Sequence, residues 1–222
     1  VLILSLDTSA IASAALVNDD GVLVSFASGD TRTHAEVLTP AVRDLLLAAG
    51  IDGTDLDAVV TGTGPGPFTG LRAGIATART LAFVWNVPLF GLMSLEAIAA
   101  DALTDARERG LDEYVVATDA RRKEVYWARY SAMGNIPKLL EGPAVASPPE
   151  LPALPVYGKG AGLYADALSA VQEFTDLQPS ASSLGVVTLE RIRNGTQSTD
   201  TTPLYLRESD AQVPGPRKRA LS

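Results

Sequence analysis

Asp7-Thr8-Ser9 follows the apolar run 1–6 and precedes a second one at 12–17, so it stands where a buried strand would turn into a hairpin. Backbone amides and small hydroxyls at such a turn can cradle a phosphate while the carboxylate holds a metal or a water. The same residues can equally close the strand as an Asx or Ser/Thr turn, with no ligand. Asp119 occupies the matching place in the second half of the chain. There Ala120-Arg121-Arg122-Lys123 follows, without the glycine that lets a backbone approach phosphate closely. The cationic run could draw phosphate or form a solvated hairpin turn. Autonomous ATP hydrolysis is not expected.

The stretch Gly64-Pro65-Gly66-Pro67-Phe68-Thr69-Gly70-Leu71-Arg72 is the most distinctive in the chain. It lacks the Gly-Lys-Ser/Thr ending of a Walker A loop. Its glycines and prolines fix a tight turn into a helix, and Thr69 or the helix N-terminus could hold an anion. A purely structural strand-to-helix turn fits the residues as well. His34 is the one histidine, and Leu38 stands one helical turn on, so a helical His-x-x-x-His metal pair is excluded. Ser9 and Ser94 lack the setting of a nucleophile elbow, which disfavours a Ser-His-Asp hydrolase. Without cysteine, the chain has no disulfide, thiolate zinc site or cysteine nucleophile. No metal and no cofactor are expected.

A formal net charge of −8 argues against autonomous nucleic-acid binding, which depends on lysines and arginines neutralising phosphates. Any RNA role should be indirect. The apolar run 1–6 is too short for a signal-peptide core or a membrane span, which predicts a soluble, cytoplasmic protein.

Around these residues the pattern of elements is regular. Residues 1–6, 12–17 and 22–27 read as strands, the last two joined by the turn-forming Asn18-Asp19-Asp20-Gly21. Apolar residues at three- and four-residue steps from about 32 predict a helix stopped by Gly50. A strand at 56–61, a helix at 69–85 and a strand at 88–93 follow, with Ser94 as the N-cap of a third helix. Leu71, Ile75, Ala78, Leu81, Ala82 and Trp85 make one apolar face of the second helix, and small residues make much of the rest. That face could pack within the chain or against another subunit.

From about residue 112 the pattern restarts: a strand at 114–119 ending in Asp, a turn at 120–123, and a hairpin partner at 124–130. The proline-rich segment 137–155 reads as loop with short strands, 183–194 as a late helix closed by Gly195, and the basic tail Arg217-Lys218-Arg219 as a disordered end. This order predicts an α/β protein of mixed sheets with helices on their faces, in two architecturally related halves. The subdomains divide as 1–106 and 107–222, with the last helix and tail packing back on the first. Two strand-end Asp turns facing across a cleft form the nucleotide clamp of actin/Hsp70-like and sugar-kinase folds.

Four segments carry a resemblance that spans the chain: I-L-S-L-D-T-S near the start, G-T-G-P-G-P-F-T-G-L-R-A-G-I, A-T-D-A-R-R-K-E-V-Y-W-A-R-Y, and the closing P-L-Y-L-R. Together they resemble the TsaB (YeaZ) family. Pro67 departs from the serine usual there and removes a hydroxyl from that loop. The resemblance implies an ASKHA, ribonuclease H-like fold and a place in the complex that puts threonylcarbamoyl on the adenosine beside the anticodon of ANN-decoding tRNAs. In that family the chemistry resides in a paralogous partner, TsaD, which binds metal and uses threonylcarbamoyl-adenylate, and an ATPase, TsaE, joins the pair. Asp7, Thr8, Ser9 and Asp119 are then vestigial nucleotide turns, and Gly64, Pro65, Gly66, Thr69 and Gly70 a structural loop.

The family dimerises through its first two helices, which carries onto Leu38, Val42, Leu45, Arg72, Ile75 and Arg79 here. Solvent-side apolar residues would anchor the contact and the arginines would set its register. Leu45→Asp is accordingly expected to abolish partner binding in a folded monomer. The resemblance leaves a homodimer open for the chain alone and makes tRNA contact indirect. The rival reading, a small ASKHA kinase or ATPase, predicts a glycine-bearing second phosphate turn. The chain offers Asp119-Ala120-Arg121 and the short run Gly158-Lys159-Gly160-Ala161-Gly162.

Overall fold

The computed structural model describes residues 1–29 and 34–207, with the backbone alone for residues 34 and 35. The basic tail therefore lies outside the described residues.

Strand β1 (Leu2–Asp7) pairs antiparallel with β2 (Ser13–Asn18), which pairs antiparallel with β3 (Gly21–Ala27). On its other side β1 runs parallel to β4 (Ala58–Gly62), and β4 to β5 (Leu89–Leu92). Helix α1 (His34–Ala49) leads from β3 to β4, and α2 (Phe68–Trp85) from β4 to β5. Strands β1, β2 and β4 are apolar along nearly their whole length because both faces of the sheet are covered. On one face Leu4, Leu6, Leu16 and Val59 meet Leu38, Val42 and Leu45 of α1 and Ala78 of α2. On the other, Ile3, Ala15, Val17 and Val60 meet Leu184 and Val187 of α5 (Ala181–Arg193).

The second sheet repeats this wiring. Strands β6 (Glu113–Asp119), β7 (Val125–Ser131) and β8 (Lys138–Ala146) form an antiparallel meander, and the short β9 (Val156–Tyr157) lies parallel beside β6. Helix α3 (Ser94–Glu108) packs Ile98 and Ala102 on Tyr114, Val116 and Tyr130, while α4 (Lys159–Leu163) sets Ala161 on the opposite face. The echo read from the sequence is thus an echo of topology. One expectation is corrected: in place of loop with short strands, residues 138–146 form one nine-residue strand. Pro143 is tolerated because β8 is an edge strand, where one row of backbone groups needs no partner in the sheet.

Beyond α5 the chain runs back along the first sheet as an irregular strap. Gly91 N donates to Ser198 O at 2.9 Å and Leu204 N to Thr63 O at 2.8 Å. Among the described residues no helix is long and apolar enough to cross a membrane.

Helices α3 and α5 meet through an ion pair between Glu96 and Arg191. Glu96 is buried, and desolvation lifts its pKa from 4.5 to about 7 against the opposing pull of the Arg191 charge. The folded-state value lies above the unfolded one, so the contribution is fully present below pH 4.5 and is lost as pH rises to about 7. The shift corresponds to about 3 kcal/mol. Urea unfolding at a series of pH values should therefore show the wild type losing up to about 3 kcal/mol relative to Glu96→Gln between about pH 4 and pH 8. A difference that does not change with pH would refute this account of the pair.

Candidate functional site

At the end of β1 the chain folds Asp7 back over its own turn. Asp7 Oδ1 accepts from Ser9 N at 2.8 Å and from Ser9 Oγ at 2.6 Å. Oδ2 accepts from Ser94 Oγ at 2.5 Å. The carboxylate is 1% exposed and lies directly over Gly62, where a Cβ would stand 1.8 Å from Oδ2. Ser94 is the first residue of α3 and not its N-cap, which is Met93. Its hydroxyl serves the Asp7 turn instead, and also accepts from Gly64 N at 3.0 Å.

The glycine-proline loop closes over this turn. Thr8 Oγ1 donates to Gly70 O at 2.8 Å, and Gly74 leaves the room that the Thr8 side chain fills, since a Cβ there would be 2.2 Å from Oγ1. Gly66 lies against the Ser9 backbone, 2.5 Å from its carbonyl for a would-be Cβ. Gly64, Pro65, Gly66 and Gly70 are buried, whereas Thr69 is exposed. The structure therefore joins Asp7, Thr8, Ser9, Gly64, Pro65, Gly66, Gly70 and Ser94 in one packed cluster, a union that sequence spacing did not reveal. A phosphate or metal would have to displace the Ser9 and Ser94 hydroxyls from the carboxylate. Of the two readings of this turn, the contacts favour the structural one.

Asp119 makes its contacts within its own hairpin: Oδ1 accepts from Arg121 N at 2.7 Å and Oδ2 pairs with Arg121 Nη1 at 3.3 Å. Among the described residues no group of three or more His, Asp or Glu side chains could hold a metal ion.

The helix residues assigned to a partner contact divide in two. Leu38, Val42, Leu45 and Ile75 are buried inside this chain, so they are corrected from surface anchors to core residues. The resemblance points to the helix pair and not to one face of it, and an apolar stripe at three- and four-residue steps first satisfies its own sheet. Leu45→Asp would put a carboxylate into that core and undermine the fold itself. Arg72 and Arg79 do lie on the outer face, but the strap engages both. Arg79 Nη2 donates to Thr201 Oγ1 at 2.8 Å and Thr201 O at 3.1 Å. Arg72 Nε donates to Tyr205 Oη at 3.1 Å, and its guanidinium lies 3.7 Å from the centre of the Phe68 ring.

Sequence reasoning missed the apolar residues that the helix pair does expose. Phe83 is 85% exposed, Val84 65% and Leu47 73%. Phe83 continues the outer stripe Arg72, Ala76, Arg79, and the signal lay in its falling off the Leu71–Trp85 face. Leu47 belongs to the same end of the pair, because Gly53, just past α1, is pressed against the ring of Trp85. Beside Phe83 is an open hollow of about 530 Å³ lined by Arg79, Ala82, Asn86, Val87, Pro88 and Leu89.

Comparison with known proteins agrees with this architecture. The family model of TsaD, tRNA N6-adenosine threonylcarbamoyltransferase, matches residues 21–202. An uncharacterized protein of Mycobacterium tuberculosis is 38% identical over 217 residues, 95% of this chain and 93% of that protein. The tRNA threonylcarbamoyladenosine biosynthesis protein TsaB of Escherichia coli is 37% identical over 133 residues, covering 60% of this chain and 56% of that protein. The solved structure of YeaZ from Pseudomonas aeruginosa superposes with a TM-score of 0.78 at 30% identity, over 92% of this chain and 99% of that one. The family model across residues 21–202 and the 30% identity with YeaZ over 92% of this chain, in a shared ASKHA-like fold, place the chain in the TsaB (YeaZ) family.

Proposed function

We propose that the chain is a non-catalytic scaffold and activator subunit of the tRNA threonylcarbamoyladenosine machinery, which binds a TsaD-like catalytic paralogue through the outer face of α1 and α2. The observation that carries this reading is the exposure of Phe83, Val84 and Leu47 at one end of that helix pair. Large apolar side chains left in water beside a hollow are what a partner helix would cover. The closed state of the Asp7 turn supports the absence of chemistry, because Ser9 and Ser94 both donate to the carboxylate and neither stands ready as a nucleophile. Arg72 and Arg79, fixed by the strap, set the rim of the contact rather than its centre.

In this reading the division at 106/107 separates the partner-binding half from a second half that completes the scaffold. A TsaE-like ATPase joins the assembled pair, the outer face supports a homodimer when the paralogue is missing, and the assembly is cytoplasmic. Docking acts by favouring the active conformation of the catalytic paralogue, which needs only a difference in affinity between its two states. Threonylcarbamoylation of tRNA by the TsaD-like protein should rise by roughly tenfold or more when this chain is added. Equal turnover with and without it would remove the activator role.

A further inference from the structure

The β6–β7 hairpin turns through Arg121, Arg122 and Lys123, with φ of 63°, 53° and 63°. Three consecutive left-handed residues with side chains are costly where glycine or asparagine would be unstrained. The turn is nevertheless well held. Asp119 Oδ1 takes Arg121 N, Ala120 N donates to Glu124 O at 3.0 Å, and Glu124 N donates to Arg121 O at 3.0 Å. The strap reaches it as well: Arg207 pairs with Glu124 and donates to Arg121 O at 3.4 Å. Strain retained at positions that carry three exposed cations indicates that the side chains themselves are used.

Charge at this spot runs against the rest of the molecule. Arg121, Arg122, Lys123 and Arg207 gather on a chain whose formal net charge is −8, and among the described residues the carboxylates of Asp119 and Glu124 pair with Arg121 and Arg207. Arg72 stands close by along the strap, since Tyr205, which accepts its hydrogen bond, is two residues from Arg207. Ala120 and Val125, which flank the turn, are buried, and the exposed rings along the strap, Phe68 and Tyr205, lie against each other with Arg72 over Phe68. A protein interface needs a desolvated apolar centre, whereas a sugar-phosphate backbone needs only displayed cations.

We propose that this turn, with Arg207 beside it, contacts the phosphate backbone of the tRNA directly, a role that rests on the chain's membership of a tRNA-modifying assembly. The RNA contact is then local and not wholly the partner's. The test uses an unmodified tRNA transcript and the complex of this chain with its TsaD-like partner. Affinity is measured across a salt series, and partner association is checked by mass in the same preparations.

With Arg121→Gln, Arg122→Gln and Lys123→Gln combined, the slope of log affinity against log salt should shrink by about 2 to 3 while association is unchanged. Lys123→Gly should shrink it by about 1 without lowering the Tm, because glycine relieves the left-handed strain. An unchanged slope with association intact overturns the RNA contact and leaves the scaffold reading standing. Loss of association in the variants overturns it in favour of a protein contact. If the wild-type chain binds no partner, the scaffold reading fails. The salt series on the chain alone then decides the RNA contact by the same change in slope.

Discussion

Replacing Gly62 with alanine should destabilise the protein by about 4 kcal/mol or more. The new Cβ would stand 1.8 Å from Asp7 Oδ2, 2.7 Å from Ser94 Oγ and 2.8 Å from the Asp7 carboxyl carbon. None of these atoms is the loose end of a flexible side chain. Asp7 is held from three directions, and Ser94 is fixed by the start of α3. Displacing the carboxylate adds the cost of a buried charged acceptor with fewer donors to the cost of overpacking.

Gly50→Ala is the matched control, because Gly50 has φ +66° but no atom within 4 Å of a would-be Cβ. It should cost only about 1 kcal/mol. Urea unfolding of both variants distinguishes the cases. If Gly62→Ala were as mild as Gly50→Ala, the Asp7 turn would be loose enough to admit a ligand, and the closed-site reading would fail.

Phe83→Lys should weaken binding to the TsaD-like partner by roughly 100-fold, the scale of a central interface anchor. The fold should be nearly indifferent. Phe83 is exposed near the C-terminal end of α2, where lysine has good helix propensity and a favourable position relative to the helix dipole. Leu45→Asp provides the opposite pattern, with loss of folded protein before any statement about binding can be made, because Leu45 lies in the core beneath α1. Titration calorimetry with the partner, beside thermal unfolding of each variant, separates the two. Unaltered affinity for Phe83→Lys would move the contact off this face.

The contrast between Leu45 and Phe83 also marks how far the sequence could be read. Apolar runs ending at Asp7 and Asp119, with turn residues after them, were enough to place the opening strands of both sheets and their shared wiring. Helical spacing placed α1 and α2. The resemblance points to the helix pair, but spacing does not say whether a stripe is the only apolar surface of its helix, so Leu38, Val42 and Leu45 stand as the expected anchors while Phe83 and Val84 pass unnoticed. The strand β8 was hidden because Pro143 reads as a breaker, and only its edge position makes it tolerable. Ser94 looked like a cap because its longer-range partner, Asp7, is 87 positions away in the chain. The strap has no periodicity, and its contacts with Arg72, Arg79 and Thr63 span more than half the chain.

The most direct test of the central claim is the light-scattering mass of this chain, alone and mixed with the TsaD-like protein of the same organism, over a concentration series. The account predicts a one-to-one complex that forms at about micromolar concentration or below and displaces any homodimer of the chain. Two unassociated species at every concentration, with Phe83 and Val84 left in water, would contradict it.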